Sequence, residues 1–81
     1  MVAWPSPVQD VVSIAVKGVD ELHGSSVELY DATGRMVRSV SVRTEGRSAR
    51  IDMGGMAPGT YALILIGVDN SKLGHVRVVR E

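Results

Sequence analysis

Cysteine is absent from the chain, and with it go a disulfide framework, thiolate metal sites and cysteine catalysis. The compartment stays open on that ground, because a cysteine-free domain suits a cell surface as well as a cytosol. Phenylalanine is absent too, and Trp4, Tyr30 and Tyr61 are the only aromatic residues, so the core must be mostly aliphatic. The longest apolar run, Tyr61 to Ile66, is too short to span a membrane and too uniform for an amphipathic surface helix. No basic segment followed by an apolar stretch marks a secretory signal at Met1, and the abrupt opening Val2-Ala-Trp-Pro reads as that of a domain cut from a longer protein.

What is present is an ordinary globular composition. Hydrophobic residues make up 44% of the chain and charged residues 22%, which argues against disorder. Its 81 residues make one domain, spanning 1–81. A chain of this size buries only roughly 60% of the surface its unfolded form exposes, so the stability margin is modest and no large enzyme fold fits.

Formal net charge is zero, yet the signs are segregated: residues 1–34 carry a balance of −4 and residues 35–81 one of +4. Arg35, Arg38, Arg43, Arg47 and Arg50 form a run that could make a face for anionic glycan. The simpler reading is that they solvate the outside of a hairpin and pair with acids brought near by folding. Nucleic acid is excluded as a partner, because no aromatic residue is interleaved with these bases to stack on.

The hydropathy pattern is that of strands and turns. Val11 to Val16 reads as a strand with Val12, Ile14 and Val16 on one face. Val27 to Tyr30 is a second strand, Asp31-Ala-Thr-Gly34 a turn in which Gly34 takes positive φ, and Arg35 to Val42 the returning strand of a hairpin. Thr44-Glu-Gly46 is a further turn, Ser48 to Asp52 a short strand, and Met53 to Pro58 a loop that feeds a buried strand over Thr60 to Val68. After turn chemistry at Asp69-Asn-Ser71, Leu73 to Arg80 closes the chain, with Leu73, His75, Arg77 and Val79 alternating on one side. About seven short strands joined by tight turns predict an all-β, Greek-key, immunoglobulin-like β-sandwich.

Residues that could carry chemistry are few. His23 and His75 stand apart, without metal-ligand spacing, and no serine lies in a nucleophile elbow. Asp10, Asp31, Asp52 and Asp69 fall at strand ends or turns, where aspartate bonds the backbone two residues on. The glycine-rich loop from Gly54 to Gly59 has no lysine and leads into a strand, so it does not bind nucleotide. No catalytic, metal or cofactor residue is assigned, and an enzyme is not expected.

Four short blocks in order carry a resemblance. They are Trp4-Pro-Ser-Pro-Val-Gln-Asp10, Val27-Glu-Leu-Tyr-Asp-Ala-Thr-Gly-Arg35, Ile51-Asp-Met-Gly-Gly-Met-Ala-Pro-Gly-Thr-Tyr61 and Gly74-His-Val-Arg-Val-Val-Arg80. Together they resemble the C-terminal sorting domain of type IX secretion cargo in Bacteroidetes. Ser6, Met56, Arg77 and Arg80 depart from that family's commoner residues without removing a turn or core position. The resemblance implies a non-catalytic address label, carried through the periplasm and delivered at the outer membrane surface or secreted. Its implied partners are the type IX translocon with its shuttle proteins, a sortase-like surface peptidase that cuts upstream of Val2 or near it, and anionic lipopolysaccharide. It is equally compatible with a surface-retained component of the secretion machinery. Candidate signal residues are Pro7, Asp10, Gly34, Gly59, Tyr61 and the terminal Val76, Arg77, Val78, Val79 and Arg80. Exposed strand edges would also permit a homodimer.

Overall fold

The computed structural model describes residues 1–4, 10–15, 24–45 and 48–81, with 43–45 as backbone alone. Pro5, Pro7, Val16, His23, Gly46 and Arg47 lie outside the described residues. Eight strands are formed among those described: β1 (Val2–Trp4), β2 (Val11–Ala15), β3 (Ser26–Tyr30), β4 (Met36–Ser41), β5 (Arg43–Glu45), β6 (Ser48–Asp52), β7 (Gly59–Ile66) and β8 (Lys72–Arg80). They build two four-stranded antiparallel sheets, one in the order β1-β2-β6-β5 and the other β4-β3-β7-β8. This is the sandwich that the strand pattern predicts.

The chain changes sheet after β2, between β4 and β5, and after β6. The second crossing takes a single residue. Val42 is buried, and its N–H donates to the Ser25 carbonyl at 3.0 Å, so β4 and β5 are one strand bent from one sheet into the other. Thr44 and Glu45 consequently pair with Ala49 and Ser48 in a ladder, where the sequence predicted a turn from Thr44. Val2–Trp4 was not anticipated as a strand. It pairs with Ser13–Ala15, which gives β2 a neighbour on its outer side.

β7 has strands on both sides, β3 and β8, and the two faces of the sandwich part along it. Tyr61, Leu63 and Leu65 point into the core and are buried. Ala62, Ile64 and Ile66 point outward and are only half-buried, so the six-residue apolar run is not buried throughout as its composition suggested. The period of two in a strand allows nothing else, since neighbours along the chain face opposite ways. Ile14, Leu29, Ile51 and Met53 meet Leu63 and Leu65 in the interior, all fully covered. Each such side chain contributes about 1.5–3 kcal/mol by leaving water.

β8 shows why simple alternation misplaces one residue. Leu65 pairs with Gly74 but Ile66 pairs with Lys72, so Leu73 is the extra residue of a bulge. It turns onto the core, whereas the alternation had grouped it with His75, Arg77 and Val79, which are exposed.

The two faces of β7 should separate by mutation. Leu63→Ala is expected to lose about 2–5 kcal/mol in urea denaturation, and Ile64→Ala roughly 1 kcal/mol or less at low protein concentration. Equal losses would contradict this assignment of faces.

Candidate functional site

Among the described residues, the second, third and fourth sequence blocks fall on β3 with the turn after it, on the loop from β6 into β7, and on β8. At the start of β7, Gly59 has φ of +151°, a backbone state that side-chain-bearing residues rarely adopt. Tyr61, two residues on, is buried, and its hydroxyl donates to the Ala57 carbonyl at 2.5 Å. A tyrosine bonding back across a strand corner is a device of immunoglobulin-like sandwiches. Here it fixes the Pro58-Gly59 turn to the core through the core's one aromatic ring.

The turn between β3 and β4 is organised by Asp31. Its Oδ1 accepts from the Thr33 hydroxyl at 2.6 Å, the Thr33 N–H at 2.9 Å and the Arg35 N–H at 3.1 Å. Arg35 Nε stands 3.7 Å from Oδ2. The reversal closes with the Gly34 N–H on the Asp31 carbonyl, at a Gly34 φ of +86°. The Thr33 hydroxyl first, and then the Arg35 N–H, hold the Asp31 carboxyl below its usual range. Asp69 repeats the pattern before β8, accepting from the Ser71 hydroxyl at 2.6 Å and the Ser71 N–H at 3.1 Å, and its pKa is lowered chiefly by that hydroxyl.

The loop after β6 is where distant blocks meet. Arg80 Nε donates to the Met53 carbonyl at 2.9 Å, and its Nη2 lies 3.4 Å from Asp10 Oδ1. The Met53 N–H donates to the Asp10 carbonyl at 2.7 Å. The Arg80 side chain is only 12% exposed, against 78% for Asp10, so the guanidinium is folded in while the carboxylate stays largely in water. From the other side Arg38 Nη1 donates to the Asp52 carbonyl at 3.1 Å, and both its Nη atoms donate to the Gly54 carbonyl at 3.3 Å. Asp52 Oδ1 accepts the Gly54 N–H at 2.8 Å. Two arginines from the two edge strands of one sheet thus clasp a loop that leaves the other sheet.

The terminal strand divides by face. Val78 is buried and Val76 is packed against the core, while His75, Arg77 and Val79 are exposed. Arg77 takes part in no hydrogen bond or ion pair among the described residues. It lies at one side of an open hollow of about 310 Å³ on the outside of the β4-β3-β7-β8 sheet, with Tyr30, Asp31, Gly34, Thr60 and Ala62. This hollow joins the second, third and fourth sequence blocks. The Tyr30 hydroxyl donates to Glu28 Oε1 at 3.0 Å; that bond, then partial burial and the Glu28 charge, raise the Tyr30 pKa.

Of the arginine run, Arg35 lies in the β3–β4 turn, Arg38 in the clasp, and Arg50 on the outer side of β6. Arg50 lines an open hollow with Val40, Ser41, Ile51 and Asp52, while Arg47 and the Arg43 side chain are outside the described residues. Sequence reasoning missed the role of Arg38, whose partners are 14 and 16 positions away. No group of metal-binding side chains occurs among the described residues.

These features define a small aliphatic β-sandwich whose ordered blocks build corners and fastenings. Residues 2–78 match the family model of the secretion system C-terminal sorting domain, and the chain belongs to that family, the sorting domains of type IX secretion. The match covers the four blocks as far as Val78, so the Arg80 clasp lies just beyond it. No curated protein matches the chain at a significant level. The family is in general non-catalytic.

Two expectations follow from the geometry. Arg80→Ala strips a partly buried carbonyl of its donor and should cost about 1–3 kcal/mol, whereas Asp10→Asn, at an exposed carboxylate, should cost under about 1 kcal/mol; chemical denaturation measures both. Asp31 has a lowered native pKa, so its ionised form stabilises the turn at neutral pH, and that stabilisation is lost as pH falls through the native value. Asp31→Asn should therefore melt below the parent at pH 7, with the gap narrowing once pH drops below the ordinary 3.8.

Proposed function

We propose that this domain is the address of a cargo protein, read by the type IX translocon from the exposed half of β8 and the neighbouring Gly59-Thr60-Tyr61 corner. The observation that supports this most is the division of labour along the last strand. Val76, Val78 and the Arg80 guanidinium are spent on the fold, which leaves Arg77 and Val79 facing outward beside Thr60. A partner can read side chains on that face, or add a strand to the free edge of β8. Membership of the family implies a parent exported to the surface or the medium. Passage through the periplasm, handling by shuttle proteins, and cutting by a sortase-like peptidase with attachment to anionic lipopolysaccharide complete the reading. In a surface-retained member of the machinery the same domain would stay on. The glycan-binding alternative would use the arginine run, of which Arg35 already faces Asp31 and Arg38 already serves the Asp52 and Gly54 carbonyls.

The test fuses the domain to a secreted reporter and measures surface delivery in a type IX-competent cell. Deleting 78–81 should abolish delivery. Because that deletion also removes Val78 and the Arg80 clasp, the decisive variant is Arg77→Glu with Val79→Glu. It should reduce delivery at least about tenfold while leaving the melting temperature of the isolated domain within a few degrees of the parent's. Full delivery by this double variant would overturn the assignment of the read surface.

A further inference from the structure

The outer face of the β4-β3-β7-β8 sheet extends well beyond Thr60, Arg77 and Val79, the part of it that the export reading uses. Down its middle run Ala62, Ile64 and Ile66 of β7, half-buried, with Val79 on β8 at 48% exposure and Met36, beyond Tyr30 on β4, at 50%. The strand register arranges this face in rows. One row is Tyr30, Ala62, Arg77; the next is Glu28, Ile64, His75; the third is Ser26, Ile66, Lys72. Each row has an apolar centre. The acid lies on the β3 side, and Lys72, His75 and Arg77 all lie on the β8 side. None of these three forms a hydrogen bond or ion pair among the described residues.

Such a face is complementary to itself. We propose that a second copy of this chain packs on it face to face, across a twofold axis running along β7. That axis returns each row to itself with its ends exchanged. His75 then lies over Glu28 of the other copy, Arg77 lies over the ring of Tyr30 of the other copy, and the apolar centres meet. A twofold axis across the strands would instead lay β8 on β8, with Lys72 against Arg77 of the other copy, which like charge opposes. Charge therefore selects one of the two face-to-face arrangements.

The contact is weak by its size. The backbone spans 31 × 22 × 18 Å, so one face offers on the order of 700 Å², at the small end beside the roughly 800 Å² per partner of a stable complex. Dimerisation is expected only at high local concentration, as where many copies gather at one membrane. This inference does not rest on how the translocon reads the domain.

Sedimentation equilibrium of the isolated domain over a wide concentration range, at low and high salt, tests it. The expected result is a monomer–dimer equilibrium that high salt weakens, that Ile64→Asp abolishes, and that Glu28→Lys and His75→Glu each weaken about tenfold. Mixing the two charge variants should restore association, because the introduced lysine of one copy then faces the introduced glutamate of the other. A monomer at every concentration overturns the proposal. So does a dimer indifferent to Ile64→Asp, which would place the contact at a strand edge, or a failure of the mixed variants to recover.

Discussion

Three successive carbonyls, those of Asp52, Met53 and Gly54, fasten the two sheets of this sandwich together. Arg38 reaches them from β4 and Arg80 from β8, the two edges of the opposite sheet. The fully buried Met53 side chain anchors the same loop from within, and the Asp10 carbonyl accepts the Met53 N–H at the start of β2. A loop leaving a sheet exposes carbonyls that no ladder partner can satisfy, and such groups are costly if left unpaired near the core. A guanidinium suits the task because its several N–H groups diverge in a plane and can serve two carbonyls at once, as Arg38 does with Asp52 and Gly54. An ammonium would concentrate its charge at one point.

The weight on this fastening follows from the composition. With Tyr61 the only aromatic ring in the core, burial rests on branched aliphatic side chains in a domain too small to enclose many of them. Corners therefore matter more than in a larger sandwich. Tyr61 serves twice, filling core volume and tying its hydroxyl to Ala57, and Val42 both packs inside and carries the chain between sheets. Such double use fits the recurrence of glycine, proline and aspartate, residues that set backbone direction, at the turns of the sequence blocks.

Local chemistry was legible in the sequence. Ser48–Asp52 forms a strand with the predicted bounds, and the Asp31–Gly34 reversal and the Asp69–Ser71 turn are built as aspartate and glycine chemistry require. What was not legible depends on pairing between distant positions. Val2–Trp4 is a strand because β2 lies beside it, Thr44 is in a ladder because Ala49 is opposite, and Leu73 faces inward because a bulge shifts its register. Composition also overstated the burial of β7, since a uniformly apolar run cannot say whether both faces are covered. At the site, Asp10 and Arg80 were each singled out, but their meeting across 70 positions at Met53 is a property of the closed sandwich. Arg38 was grouped with four other arginines by sequence proximity, whereas its length and planarity place it between sheets.

The division of charge along the chain acquires a spatial meaning from this topology. The acidic first part of the sequence supplies β3, and the basic remainder supplies β8. Both pair with β7, on opposite sides. Fold-forming contacts among the described residues include Asp10 with Arg80 and Asp31 with Arg35. Glu28 and Arg77 remain on one outward face, to either side of an apolar strand, so a chain with no net charge presents a surface with direction across it. A neutral uniform face would attract any apolar neighbour, whereas a face with opposite signs at its two sides accepts a partner in one orientation and rejects the reverse. That directional property arises from strand order alone, and the buried side of the same three strands could be repacked without disturbing it.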